Sequence, residues 1–341
     1  MRLWARNLIR VTSFRAFVAN HEDGSIPNRI EELPFEILGE GNVTIRVQWS
    51  SINYKDTLAA DARGRVARIS PLIPGVDLAG EVVESDSATV TVGDNVIVHG
   101  YDLGVAHHGG YATYARVPDN WIVPLPSDLS ARDAMVVGTA GFTAALSVVA
   151  LEDHGLTPGG GEVLVLGATG GVGSIALSIL ASHGYKLVAV TGKPDHTQLL
   201  LDLGATEVIS RDEVSMDGKP LERERWGGCV DPVGGKSLEY AIRTLRYGAA
   251  VASCGQIGGT EFTASIFPFI LRGITHFGID SVKTPIERRR EVWRRIGDEF
   301  KTGSYPTVAV REVALHDVGS FLAASVNGSA VGRTIVNVSG E

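Results

Sequence analysis

VLVLGATGGVG, residues 163–173, is the stretch whose reading decides the fold. Four apolar residues run into a glycine cluster, and Ser174 to Ala181 continue at helical spacing with Ile175, Leu177, Ile179 and Leu180 among the apolar positions. The order is strand, tight turn, helix. Glycines in such a turn let the backbone approach a pyrophosphate, whose charge then lies over the free amides at the helix start. Gly170, Gly171 and Gly173 are assigned to that role. Glycines at a strand end are by themselves only a turn. Here a second apolar strand, Leu187 to Val190, follows at the spacing of a βαβ unit, and the pattern becomes that of a dinucleotide site.

The residues after the second strand bear on which dinucleotide. NAD sites place Asp or Glu about 20 residues beyond the glycines, against the ribose hydroxyls. This chain has Thr191, Gly192 and Lys193 there, and Asp195 only behind Pro194. A hydroxyl can donate to a 2′-phosphate and an ammonium can neutralise it. Hydrogen bonds to charged groups contribute about 1.5–3 kcal/mol each, so two of them favour NADPH by roughly a hundredfold. Arg211 follows a third apolar stretch at Val208 and Ile209. It is a second cation for the adenosine phosphate or a solvated loop arginine, and spacing alone does not separate the two.

Outward from this unit the chain divides. Apolar strands at Val163, Leu187, Val208, Cys229–Asp231 and Ala249–Ser253 alternate with helical stretches as far as about Ile279, which predicts a doubly wound parallel sheet with helices on both faces. The earlier portion reads as mostly β. Its first strand begins at Phe14 and ends at the acidic turn Glu22–Gly24. From Val43 to Ser50 the pattern alternates, Val43, Ile45, Val47 and Trp49 facing one way and Thr44, Arg46 and Gln48 the other. Short strands follow around Leu78–Val83, Asn95–His99 and Tyr111–Val117. Helical spacing from Ala131 to Val149, interrupted at Gly138 and Gly141, marks the crossover between domains. A late helix, Ile286–Phe300, has Val292, Trp293, Ile296 and Phe300 as its core side. The last strand, Gly332–Val338, has no parallel partner pattern and is expected to return to the first domain. The expected boundaries are an extension at 1–13, a first domain at 14–136, the nucleotide domain at 137–281, and the return at 282–341.

Composition bounds the function. A chain of 341 residues, 44% hydrophobic and 21% charged, can bury two cores. Its net charge of -8 argues against a nucleic-acid partner. Two cysteines, Cys229 and Cys254, imply no disulfide framework and fit a reducing compartment. No run of about 18 apolar residues exists, so no membrane span is expected. Met1–Thr12 carries Arg2, Arg6 and Arg10 without the apolar core of a secretory signal, so the expected location is cytoplasmic. His107 and His108 precede a glycine pair, and without a third ligand they read as loop residues and not as a metal site.

Several stretches together resemble a known family. They are SSINYKD (50–56), PGVDLAG (74–80), GGYATYARV (109–117), GTAGFTAALSV (138–148) and the GATGGVG turn. The chain resembles the zinc-free quinone-oxidoreductase-like branch of the medium-chain dehydrogenase/reductase superfamily. EDHGL (152–156), PFILRG (268–273) and GIDSVKTPIERR (278–289) are more narrowly similar to the acrylyl-CoA reductases. The resemblance covers about residues 14–338. It implies a GroES-like first domain, an inserted Rossmann domain, NADPH as cofactor, a homodimer, and reduction of acryloyl-CoA to propionyl-CoA. Zinc-dependent relatives carry a cysteine and a His-Glu pair at the NYKD stretch and at Pro74–Asp77. Those ligand types are missing here, so no metal is expected.

Conjugate reduction needs a hydride for the β-carbon, stabilisation of the enolate on the thioester oxygen, and a proton for the α-carbon. Tyr54 is the best polar candidate in the first domain. The resemblance makes it a cofactor contact; its hydroxyl is then either the proton donor or packed beside the nicotinamide ribose, with Asn53 orienting it. Asp77 reads as a structural carboxylate pairing its loop. The resemblance further implies cofactor contacts at Thr169, Gly170, Gly171, Val172, Thr191, Gly192, Lys193 and Arg211, and at Gln256, Ile270, Ser281 and Arg333, with Gln256 standing where an apolar residue is expected. A CoA thioester brings phosphates, and Arg63, Arg65 and Arg68 cluster after the NYKD stretch to meet them. Arg288, Arg289, Arg290, Arg294 and Arg295 read instead as a solvated helix face paired with Glu287, Glu291 and Asp298. A quinone reductase would share the NADPH site without needing the arginine loop. A non-enzymatic NADPH-binding protein would keep the glycines and be indifferent to Tyr54, and a zinc alcohol dehydrogenase is disfavoured by its missing ligands.

Overall fold

A computed structural model describes residues 12–21, 29–298, 308, 310–325 and 330–340; most of the expected extension, the turn at 22–24 and Phe300 lie outside the described residues. The first portion runs β1 (Ser13–Phe17), β2 (Ile30–Pro34), β3 (Val43–Ile52), α1 (Tyr54–Ala60), β4 (Asp77–Ser85), β5 (Asn95–His99), β6 (Tyr114–Val117), β7 (Ile122–Pro124) and α2 (Ala131–Asp153). The next is β8 (Glu162–Val165), α3 (Gly171–Ser182), β9 (Leu187–Thr191), α4 (Thr197–Asp202), β10 (Glu207–Ser210), β11 (Trp226–Asp231), α5 (Gly235–Thr244), β12 (Leu245–Ser253), α6 (Phe267–Arg272) and β13 (Thr275–Gly278). The chain closes with α7 (Ile286–Asp298), β14 (Val310–Ala314), α8 (Val318–Ser325) and β15 (Arg333–Asn337).

β8 to β13 form a six-stranded parallel sheet in the order β10-β9-β8-β11-β12-β13. This is the doubly wound Rossmann arrangement, and its strand order reverses beside β8, which opens the crevice at the carboxyl end of that strand. Every residue of β9 is buried, as a strand covered on both faces requires. Side-chain alternation in β8 sends Val163 and Val165 into a core with α2 and α3, and Leu164 into a second core with Leu238 and Ile242 of α5.

The other large sheet is mostly antiparallel, in the order β14-β15-β3-β4-β5-β7, with β6 on β3. This is the GroES-like part. β15 returns to β3 as expected, but it also has a parallel partner, β14, which the pattern of the sequence does not announce. β13 is likewise unannounced, because THFG is short and shows no alternation. On β3, a register shift between Val47 and Trp49 moves Trp49 from the core of Ile45 and Val47 to the other core, which corrects the single face expected for all of them.

α2 is the wall shared by the two sheets. Its buried residues pack with Val165 and Ile175 on one side and with Ala79, Ile97 and Val123 on the other. One part of the membrane reading is corrected: an apolar run of spanning length does exist, since α2 has an 18-residue window of mean hydropathy 2.0, but 83% of that window is buried inside the fold. The helix kinks at Gly138, with φ 50° and ψ -159°, and not at Gly141. The kink frees the Thr139 N–H, which donates to Asp77 Oδ2 at 2.9 Å.

α7 corrects the expectation of an arginine face in water. Arg288 and Arg294 do pair with Glu291 and Asp298. Arg289, however, is wholly buried, its guanidinium carbon 4.5 Å from the Tyr101 ring centroid and 5.1 Å from that of Phe142. It donates to the carbonyls of His99, Ser281 and Val282 at 2.9, 3.2 and 3.0 Å, fastening the segment after β13 to the end of β5.

Candidate active site

The glycine turn lies where the sequence puts it. Gly170 is the N-cap of α3, so the amides of Gly171, Val172 and Gly173 have no acceptor within the helix. A side chain at Gly170 would meet only the Gly167 carbonyl, at 3.3 Å, which leaves the approach to these amides open. Gly173 differs. A Cβ there would lie 2.5 Å from the Gly167 oxygen, so this glycine serves close packing of helix on strand. Thr169 is buried, its Oγ1 3.2 Å from Thr191 Oγ1, and its carbonyl accepts the Gly332 N–H at 2.9 Å.

At the far end of the crevice, Thr191 of β9 stands opposite Ser210 of β10. The Thr191 hydroxyl accepts the Lys193 N–H at 3.0 Å, and Lys193 Nζ donates to the Ala330 carbonyl at 2.7 Å. The Arg211 guanidinium carbon lies 3.0 Å from where a Cβ on Gly192 would sit. Two cations therefore flank Gly192. Partial burial holds the Lys193 ammonium below its ordinary value, a shift that a bound anion would oppose.

At the opposite end, β3 runs into α1. Asn53 caps this helix, and its backbone N–H donates to Asp56 Oδ2 at 2.8 Å. Tyr54, the first helical residue, is 48% exposed. Asn53 points inward: its Nδ2 donates to Asp77 Oδ2 at 3.0 Å, and its Oδ1 accepts from Arg333 Nη1 at 3.2 Å. Asp77 also accepts the Ser51 N–H at 3.0 Å and the Ser51 hydroxyl at 2.9 Å. It is structural, as expected, but it braces β3, α1 and α2 and does not pair with its own loop. Arg333 is 2% exposed and donates to the Val136 carbonyl at 2.8 Å and to Ser51 Oγ at 2.6 Å. Its Nη1 is 3.2 Å from where a Cβ on Gly171 would lie. One guanidinium thus ties β3 and Asn53, next to Tyr54, to the first turns of α2, close to the start of α3.

The remaining candidates lie on other segments. Gln256 is exposed in the turn after β12, Ile270 is 66% exposed on α6, and Ser281 is half-buried with its carbonyl on Arg289. Arg63 pairs with Asp61 at 2.7 Å, Arg65 adopts a left-handed conformation with φ 54°, and Arg68 is 3.8 Å from Asp102; all three side chains lie at the surface. His107 contacts the carbonyls of Glu40 and His108, and His108 Nδ1 accepts the Ile73 N–H. Among the described residues no group of His, Cys, Asp and Glu is arranged to hold a metal ion. A chain with no signal in the sequence pattern runs from His276 through Ser253 to Asp231, at 2.9 and 2.8 Å, and Asp231 holds the Val233 and Gly234 amides after β11.

Comparisons with known proteins agree with this architecture. The alcohol dehydrogenase GroES-like domain family matches residues 39–127 and the zinc-binding dehydrogenase family matches residues 171–298. The putative quinone oxidoreductase YhfP of Bacillus subtilis is 46% identical over 96% of this chain and 99% of its own length, and its structure, solved with NAD bound, superposes with a TM-score of 0.92. The acrylyl-CoA reductase AcuI of Ruegeria pomeroyi is 44% identical over 95% of this chain and 99% of its own. The yhdH oxidoreductase of Salmonella enterica, solved in complex with NADP, has a TM-score of 0.92 at 42% identity, over 95% of this chain and 99% of its own. The chain is therefore an oxidoreductase of the medium-chain dehydrogenase/reductase superfamily, in the quinone-oxidoreductase-like group that contains AcuI, YhdH and YhfP.

Proposed function

We propose that this protein reduces the carbon–carbon double bond of acryloyl-CoA to give propionyl-CoA, with NADPH as reductant. The observation that carries the reading is the junction at Arg333, which bonds to Asn53 beside Tyr54 and lies close to the start of α3, with Arg63, Arg65 and Arg68 at the surface just beyond α1. The residues fit the cofactor. The α3 amides beyond Gly170 would hold a pyrophosphate, and Lys193 and Arg211, on either side of Gly192, would hold a 2′-phosphate. When bound, NADPH supplies the hydride for the β-carbon.

The chain's own residues do the rest. The α3 amides and the two cations hold the cofactor's phosphates, and the arginine segment after α1 holds those of CoA. The Tyr54 hydroxyl, at the first turn of α1, donates the proton to the α-carbon. Asn53 has its amide fully engaged from below, so it orients that turn and does not touch substrate. With the expected division at 136/137 and 281/282, the reacting groups would lie between the two parts. A second reading, NADPH:quinone reduction, is supported by the name of the 46% identical relative.

Following NADPH oxidation with acryloyl-CoA, crotonyl-CoA and a simple quinone in parallel, with products identified, tests the choice. Fast conversion of acryloyl-CoA to propionyl-CoA with a slow quinone is the expected result. Quinone turnover without thioester reduction would replace it with the second reading.

A further inference from the structure

GIDSVKTPIERR, residues 278–289, leaves the carboxyl end of β13 and runs into α7, and the proposed reaction draws on none of it. The Ile279 N–H donates to the Ser253 carbonyl at the end of β12, at 2.9 Å. Asp280 then turns the chain: its carboxylate accepts the Val282 N–H at 2.7 Å and its carbonyl accepts the Thr284 hydroxyl at 2.6 Å. The next two carbonyls, of Ser281 and Val282, both accept from Arg289 Nη2, at 3.2 and 3.0 Å. Nη1 of the same guanidinium donates to the carbonyl of His99, the last residue of β5, at 2.9 Å. Beside it the Tyr101 N–H donates to the Val282 carbonyl at 2.9 Å, and the Tyr101 hydroxyl to the Thr284 carbonyl at 3.3 Å. Gly100 and Tyr101 take φ 74° and 51° to make this junction, the second a strained value for a bulky residue.

A guanidinium is a costly way to join two segments. Arg289 is fully buried and its Nε has no hydrogen-bond partner. Carbonyls and the Tyr101 and Phe142 rings surround its charge, and no carboxylate among the described residues forms an ion pair with it. For stability alone, an apolar side chain of similar volume serves as well or better. What arginine adds is geometry, a rigid planar fork that reaches three carbonyls from two strand ends at once.

The place of the fork says what that geometry serves. Lys193 and Arg211 follow β9 and β10, and the free α3 amides follow β8. A dinucleotide with its 2′-phosphate on those cations and its pyrophosphate on those amides extends its nicotinamide end over the other half of the sheet, β11 to β13. Residues 279–282 border that half. β5, on the other side of the fork, belongs to the sheet whose β3 leads to Tyr54. We infer that Arg289 is a positioning residue for hydride transfer: by gripping Ser281 and Val282 on one side and His99 on the other, it fixes the nicotinamide end of NADPH against the antiparallel sheet without touching the cofactor. The inference rests on the proposed placing of the cofactor's phosphates.

Hydrogen exchange on the full chain tests the placement without turnover. Adding NADP to wild type is expected to slow exchange at 170–174 and at 279–283. Slowing at 170–174 alone would overturn the inference and leave the phosphate site standing; no slowing at 170–174 would remove the phosphate site and the inference with it. In Arg289→Lys, which keeps the charge and loses the fork, exchange at 279–283 without cofactor is expected to be several-fold faster, with 170–174 unchanged. Equal exchange in the two proteins would overturn the grip. The phosphates dominate binding, so the Kd for NADPH, read from its fluorescence, should stay within about twofold of wild type in Arg289→Lys. With whichever acceptor is reduced, kcat should fall about ten- to a hundredfold, and further in Arg289→Leu. A lower urea midpoint with kcat of the folded enzyme unchanged would make Arg289 merely structural and overturn the inference. If neither variant folds, Gly100→Ala gives the same readouts, because its Cβ would lie 2.9 Å from the Val282 oxygen and push that carbonyl off the fork.

Discussion

Lys193 works through a short tether. Its backbone is fixed by the Thr191 hydroxyl and its ammonium rests on the Ala330 carbonyl, so the side chain is already oriented before a phosphate arrives. Thr191 itself is buried and engaged with Thr169, so on the proposed reading the discrimination between the two cofactors falls to Lys193 and Arg211. A charge-assisted hydrogen bond of about 1.5–3 kcal/mol corresponds to roughly a ten- to hundredfold change in binding. Lys193→Ala is therefore expected to raise KM for NADPH by about that factor and to leave KM for NADH nearly unchanged. Steady-state kinetics with both cofactors checks this, and equal effects on the two would remove Lys193 from the 2′-phosphate. The place of these residues at the ends of β9 and β10 was legible because each follows a strand whose pattern is local. The role of Arg333 as a strut was not, since its contact with Asn53 joins positions 280 residues apart and arises only when β15 closes on β3.

The kinked α2 decides how the two sheets meet. At Gly138 the backbone takes φ 50°, and a Cβ would lie 2.7 Å from Arg333 Nη2 and 2.8 Å from both Asp77 Oδ2 and Ser51 Oγ. Gly138→Ala thus combines backbone strain with a clash inside a buried ionic cluster. It is expected to lower stability by about 2–4 kcal/mol, seen as a lower urea midpoint at unchanged slope. An unchanged midpoint would mean that the cluster relaxes without loss. The glycine was visible in the sequence as an interruption of helical spacing, but not as the place where Asp77 reaches the Thr139 amide. The same limit explains α7. Its apolar positions gave Val292, Trp293 and Ile296 correctly, all fully buried, while Arg289 looked like its charged neighbours. Sequence supplies the charge; only the packed structure supplies the Tyr101 and Phe142 faces and the carbonyls that bury it.

Taken whole, the molecule carries a net charge of -8, and both NADPH and a CoA thioester are polyanions. The overall field therefore opposes binding, and attraction has to come from local cations. Salt separates the two effects. A 341-residue body has a radius of gyration of about 20 Å, beyond the Debye length of about 10 Å at 0.1 M, so the distributed charge is largely screened at ordinary ionic strength. Phosphates bound directly by Arg63, Arg65 and Arg68 would lie well inside that length, and these exposed contacts weaken as salt rises further. If the arginine segment holds CoA, raising ionic strength from about 0.1 M to about 0.5 M should raise KM for acryloyl-CoA several-fold and leave that of an uncharged quinone unmoved. Replacing the three arginines with alanine should start at the high KM and flatten its salt dependence. A KM that falls with salt would mean that the net charge governs encounter and that the phosphates of CoA are held elsewhere.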